Sequence, residues 1–256
     1  MTTYRQRLIL ALIKEQRSAT VADLAKRFKV SSETIRRDLL ELERQQFIQR
    51  YHGGVCLRDS HDEAAFTLRL RRQAEQKQSI GERVAAQIPD GATVLLDNSS
   101  TSVFVARQLS SKQALTVITP SLEVAQTLGR AGSELRVLLP PGLLRHHDHT
   151  IIGASVLAYI QAMKADFLVF SVAALDRQQG PMDYDLFEAE FKRVAVQQAT
   201  CRILAMDSSK QGLVADIALG LSASVDYLCT EQGWWSYDEA LKKSSGHGQE
   251  LGILAC

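Results

Sequence analysis

Apolar positions near the start of the chain recur three times at helical spacing and then switch to alternation. Between Tyr4 and Lys14, Leu8, Leu12 and Ile13 share one face while Arg5, Arg7 and Lys14 face water, which predicts a first helix. Thr20, with Asp23 three residues on, has the spacing by which two side chains satisfy free amides at a helix start, and Val21, Leu24, Ala25 and Phe28 follow as a buried stripe. Val30-Ser31-Ser32 interrupts that stripe. A serine there caps a third helix, in which Ile35, Leu39 and Leu42 repeat at i, i+4 and i+7. Phe47 to Tyr51 alternates as a short strand does, and His52-Gly53-Gly54 suits a turn or a close backbone approach, because glycine lacks a Cβ.

From Gln78 onward, apolar runs of strand length alternate with helix-like stretches: 92–96, 115–119, 135–139, 166–172, 202–206 and 227–230. This alternation predicts a mainly parallel open sheet with helices on both faces, the α/β class. Ligands in such sheets collect where strand ends lead into helix N-termini, since free amides concentrate partial positive charge there. Two loops have that placement. Asp97-Asn98-Ser99-Ser100-Thr101-Ser102 follows the first run, and Asp207-Ser208-Ser209-Lys210 follows the fifth. Glu188 and Lys192 are four residues apart on an intervening helix and share a face.

Composition divides the chain. Residues 1–58 hold twelve Lys and Arg against six Asp and Glu, net +6, and the remainder holds eighteen against twenty-three, net −5. A cationic module joined to an acidic one is the electrostatic footprint of phosphate-backbone binding confined to the front. At 256 residues the chain can bury two cores, so we expect a winged helix-turn-helix over 1–58, a linker over 59–76 and an effector and oligomerisation domain over 77–256. The tail beyond Trp235 loses the alternation, and its polar stretch 242–249 is expected to be mobile. No run of eighteen apolar residues and no signal-peptide pattern occurs, which predicts a cytoplasmic protein without membrane contact. Cys56, Cys201, Cys229 and Cys256 are scattered and expected to be reduced, and His146, His147 and His149 with Asp148 lack helical metal-ligand spacing, so neither metal nor cofactor is expected.

In a helix-turn-helix, the first turn of the second motif helix enters the major groove, where arginine can donate twice to guanine. That assigns DNA contact to Ser31, Ser32, Glu33, Thr34, Arg36 and Arg37, with Arg50, His52 and Gly53 of the hairpin near phosphate. Any one of these arginines would serve equally well to solvate a helix, and any one of the hydroxyl loops to cap one. Their combination points to double-stranded DNA as a partner.

The run Thr34-Ile35-Arg36-Arg37-Asp38-Leu39, followed by Leu42-Glu43 and His52-Gly53-Gly54, resembles the signature of the DeoR family of bacterial transcriptional regulators. The resemblance implies a second domain similar in fold to ribose-5-phosphate isomerase and glucosamine-6-phosphate deaminase. It further implies a phosphorylated sugar or polyol effector held by Asp97, Ser99, Ser100, Thr101, Ser102, Glu188, Lys192, Asp207 and Lys210. Ile151-Ile152-Gly153 and Met182-Asp183-Tyr184-Asp185 are similar to the branch containing the glycerol-3-phosphate repressor. Three positions depart from the family pattern: Ser99 replaces a glycine, Pro120 an asparagine, and Pro141-Gly142 a Gly-Gly pair. The expected function is a homo-oligomeric repressor of a carbohydrate operon with no catalytic residue. The alternatives are an isomerase or deaminase using Glu188 or Asp97 as base, and a constitutive DNA binder whose second domain only dimerises.

Overall fold

The computed structural model describes residues 3–16, 18–45, 47–51, 54–57, 66–130 and 135–238. The chain divides into two compact units, residues 1–71 and 72–256.

In the first unit, helix α1 (Tyr4–Gln16) leads through strand β1 (Ser18–Thr20) to α2 (Val21–Phe28) and α3 (Ser32–Arg44), followed by β2 (Ile48–Tyr51) and β3 (Gly54–Leu57). Thr20 caps α2 by accepting from the Asp23 amide at 3.0 Å, and its hydroxyl, rather than its amide, answers the Asp23 carboxylate at 2.8 Å. Ser31 caps α3 by accepting from the Thr34 amide at 3.2 Å. The core joins Ile9, Leu12 and Ile13 of α1 to Leu24, Ile35, Leu39 and Leu42, with Ile48 and Val55 from the strands. Two expectations are corrected here. Leu8 lies exposed at the edge of the α1 stripe and Ile9 takes its place inside, because the buried face is centred on the Ile9–Ile13 row. Arg5 is not simply solvated, since it is drawn onto a carboxylate of α3. Strand β1 was not legible in the pattern. It pairs antiparallel with β3, giving a three-stranded sheet in the order β1-β3-β2. Helix α4 (Phe66–Arg71) lies within the stretch read as linker.

The second unit opens with α5 (Ala74–Gln87), whose first turn also falls in that stretch. Then come β4 (Thr93–Leu96), α6 (Ser100–Leu109), β5 (Thr116–Ile118), α7 (Leu122–Gly129) and β6 (Arg136–Leu138). A hairpin of β7 (Leu143–Arg145) and β8 (Thr150–Ile152) precedes α8 (Ala154–Gln161), β9 (Ala165–Phe170), β10 (Ala174–Asp176) and β11 (Gly180–Asp183). Helix α9 (Leu186–Ala195), β12 (Ala199–Ala205), β13 (Ile217–Ala218), β14 (Tyr227–Thr230) and β15 (Gly233–Ser236) complete the unit. Seven strands form one sheet in the order β15-β14-β12-β9-β4-β5-β6, parallel throughout except for β15. All six expected strands lie in it.

Alternation along the strands sends Leu95, Leu168, Phe170, Leu204 and Leu228 into one core with Val156 and Ile160 of α8 and Phe191 of α9. The intervening Val94, Leu96, Val169 and Ile203 are equally buried on the opposite face. Cys229 is free and buried.

Strand order fixes where a ligand site can be. From β4 the chain winds outward through β5 and β6, and from β9 it winds the other way through β12 and β14, so the topological switch point lies between β4 and β9. Above the sheet α5 and α6 pack at Gly81, where an added Cβ would stand 2.7 Å from the Phe104 carbonyl oxygen. We predict that Gly81→Ala lowers the stability of this unit by ~1–3 kcal/mol through overpacking. Gly129→Ala, where nothing lies within 4 Å, serves as the neutral control. Chemical denaturation of both variants checks the contrast.

Candidate functional site

The loops that follow β4 and β9 meet at the switch point. Asp97, fully buried, receives the Ser99 amide at 3.0 Å and the Ser102 hydroxyl at 2.5 Å on one oxygen, and the Ser171 amide, just past β9, at 2.8 Å on the other. Its carboxylate thereby ties two neighbouring strand ends. Ser99 caps α6 by accepting from the Ser102 amide at 3.1 Å, with φ −69° and ψ 154°, an extended conformation that does not require glycine. The serine found where the family has glycine thus has a local role. Among the described residues, the amides of Ser100 and Thr101 and the buried Thr101 hydroxyl have no partner.

Beside this turn lies a network that sequence reasoning found only in part. Lys192 is enclosed, with Asp183 at 2.5 Å, Glu188 at 3.4 Å and Asp97 at 3.9 Å. Burial acts to discharge this amine, but the three carboxylates outweigh it and raise its pKa, so Lys192 is a cation. Glu188 and Lys192 share a face as their spacing predicts. Asp185 caps α9 by accepting from the Glu188 amide at 2.9 Å, which fixes the helix start beneath the cluster.

Asn98, Arg145, Asp148, Thr150, Asp183 and Asp185 were missed as site residues. The Asn98 amide group donates toward Glu188 at 3.0 Å, Thr150 at 3.1 Å and Asp148 at 3.3 Å. Arg145 lays its guanidinium on Asp148 at 2.5 and 3.0 Å, and reaches Glu188 and Asp185 at 3.1 Å each. Burial opposes its charge, and the Asp148 hydrogen bonds with the surrounding carboxylates outweigh burial, keeping Arg145 ionised. Five carboxylates therefore surround two cations in this network. The turn 146–149 between β7 and β8, with His149 in the left-handed region at φ 53°, was the available signal for the hairpin that carries Arg145 and Asp148.

The fifth strand end contributes only in part. Lys210 donates to the Val172 carbonyl at 2.7 Å and to the Ser171 hydroxyl at 3.3 Å, so it stands on the same residue that Asp97 holds. Asp207 is buried apart from the cluster and accepts from the Ser209 hydroxyl. Among the described residues no His, Cys, Asp and Glu group has a metal-binding arrangement, and His149 pairs with Glu123 at 2.8 Å.

In the first unit the outward face of α3 carries Ser32, Glu33, Arg36 and Arg37, all exposed. Arg36 and Arg37 each lie 3.7 Å from Glu33, and the Thr34 hydroxyl is 2.8 Å from that of Ser31. Exposed pairs of this kind hold side chains loosely, so Glu33 does not lock either arginine in place. The β2–β3 pairing runs to Tyr51 opposite Gly54. The Arg50 side chain, His52 and Gly53 lie outside the described residues, as does the tail after residue 238.

Comparison with known proteins bears on both units. Residues 5–61 match the DeoR-like helix-turn-helix domain and residues 72–232 the DeoR C terminal sensor domain. The chain belongs to the DeoR family. It is 34% identical over 229 residues to the glycerol-3-phosphate regulon repressor of Escherichia coli (strain K12), covering 90% of each chain. It is 35% identical over 224 residues to the HTH-type transcriptional repressor CsqR of the same organism, covering 88% of this chain and 85% of that one. Among solved structures it is similar to ribose 5-phosphate isomerase A from Methanocaldococcus jannaschii, at 12% identity and TM-score 0.40 over 54% of this chain and 55% of that one. This DeoR-family member is a DNA-binding transcriptional regulator and not an enzyme.

Asp148 gives the sensor unit a pH dependence. Burial raises its pKa, but hydrogen bonds and charge from Arg145 outweigh burial and hold it below its ordinary value of 3.8. The stability this carboxylate contributes is therefore complete at neutral pH, starts to fall near pH 3.8 and is lost as pH drops through the lowered value. Thermal melts at stepped pH should show Asp148→Asn well below the parent protein at pH 7, with the gap closing on acidification.

Proposed function

We propose that this DeoR-family regulator is a cytoplasmic, homo-oligomeric repressor of a carbohydrate-metabolism operon, released or retained on its operator by a phosphorylated sugar or polyol bound at the β4–β9 switch point. The observation that carries the effector assignment is the first turn of α6, where the Ser100 and Thr101 amides and the buried Thr101 hydroxyl lack partners. Free amides at a helix N-terminus favour an anion, and the Lys210 ammonium on Ser171 adds positive charge near the same strand ends. The surplus of carboxylates around Arg145 and Lys192 suits the other end of such a ligand, whose hydroxyls donate to Asp185 and Glu188 while its phosphate stays at the helix.

On the DNA side, the first turn of α3 enters the major groove with Arg36 or Arg37 reaching guanine, and Arg50, His52 and Gly53 approach the backbone. One such head reads few base pairs, so selectivity requires at least two, on half-sites a whole number of helical turns apart. Coupling then equals the difference in effector affinity between the DNA-bound and free states.

Two measurements test this reading. Arg36→Ala should cost ~1–3 kcal/mol on a selected operator duplex and little on a scrambled one if Arg36 reads guanine, whereas equal loss on both makes it a phosphate contact. Thermal shift against a panel of sugar and polyol monophosphates should find at least one that raises the melting temperature in Arg36→Ala but not in Lys210→Ala. A panel with no stabilising member removes the effector assignment.

A further inference from the structure

The Thr34–Leu39 run contains one residue whose role in DNA binding is still unassigned. Asp38 sits on the inner side of α3, 6% exposed, directly after the two outward arginines. Its Oδ2 accepts from Arg5 Nε at 2.5 Å and its Oδ1 from Gln6 Nε2 at 3.3 Å, both on the first turns of α1. Gln6, 5% exposed, is itself pinned: its Oε1 accepts from the Thr3 amide at 2.8 Å, and its own amide donates to the Thr3 hydroxyl at 3.2 Å. That reciprocal pair is a capping box at the start of α1. One glutamine side chain thus closes the cap of one helix and holds a carboxylate of another.

We propose that Asp38 is a positioning residue for base readout, clamping the recognition helix to the capped start of α1 through Arg5 and Gln6. A buried carboxylate is a costly way to join two helices. The same contact made with a leucine would stabilise as well or better, so the carboxylate is best explained by the geometry it specifies. Apolar packing of Ile35, Leu39 and Leu42 against Ile9 and Ile13 tolerates sliding and rotation, because dispersion contacts have little direction. A carboxylate with each oxygen on a different donor does not tolerate them. It sets the rotation of α3 about its own axis, and that rotation decides whether Arg36 meets a base edge or the backbone.

The sign of the effect separates positioning from its rivals. Removing a negative charge beside DNA would by electrostatics alone strengthen binding to every sequence. Loss of the fold would weaken binding to every sequence. Loss of positioning weakens selected duplexes alone. The experiment uses the full chain and two fluorescent duplexes of equal length, one selected from a random library by the parent protein and one scrambled, read by anisotropy.

Asp38→Asn should bind the selected duplex about tenfold less tightly, the size of one lost base contact, with affinity for the scrambled duplex unchanged or higher. Arg5→Gln should weaken the selected duplex in the same way, and the double variant Arg5→Gln/Asp38→Asn should be no worse than the weaker single variant. Equal loss on both duplexes, additive losses in the double variant, or undiminished selectivity in Asp38→Asn would overturn the proposal. If circular dichroism shows Asp38→Asn unfolded in its first unit, Arg5→Gln decides alone: selective loss supports the clamp, and uniform loss with a shallower salt dependence makes Arg5 a phosphate contact and overturns it.

Discussion

Lys192 is the only buried cation that the carboxylates of Asp97, Asp183 and Glu188 share among the described residues, and the arrangement of the sensor unit follows from its need for company. Those three acids come from the loop after β4, from β11 and from α9. None could be taken out of water beside the others without positive charge between them. The lysine in turn stays charged only while the acids surround it. Arg145 repeats the device one step nearer the surface, joining the β7–β8 hairpin to the start of α9 through Asp148, Asp185 and Glu188. Loops from separate elements are in this way held together by charge at one end of the sheet, where the strand order opens a crevice.

The two units meet different demands with the same elements. In the first, a small apolar core carries stability and the buried carboxylate of Asp38 orients a helix whose useful groups point outward. In the second, the sheet core carries stability and the polar groups turn inward at the strand ends. A regulator needs both, since DNA contacts must be exposed and cationic while a small-molecule site must be enclosed and directional.

Much of this was legible in the sequence, and the reasons are physical. The six strands of the parallel sheet stood out because buried central strands are continuous apolar runs, as in Leu168-Val169-Phe170 and Ile203-Leu204-Ala205. The helix starts at Thr20, Ser31 and Ser99 were marked by side chains short enough to cap. What escaped notice were three-residue strands such as β1, β7, β8 and β10, too short to show a period of two. With them went Arg145, Asp148 and Thr150, whose partners Asn98 and Glu188 lie about fifty and about forty residues away on other elements. The Glu188–Lys192 pair was visible because its spacing is local. The Arg5–Asp38 pair, thirty-three residues apart, was not.

One buried lysine holds the strand-end loops together by charge. Both tryptophans of the chain, Trp234 and Trp235, lie in β15 of the sensor unit, so their fluorescence reports on that unit alone. Guanidinium denaturation followed by tryptophan emission should place Lys192→Met ~3–5 kcal/mol below the parent protein, the loss typical of leaving buried charges without their partner. An unchanged midpoint and slope in Lys192→Met would contradict the account.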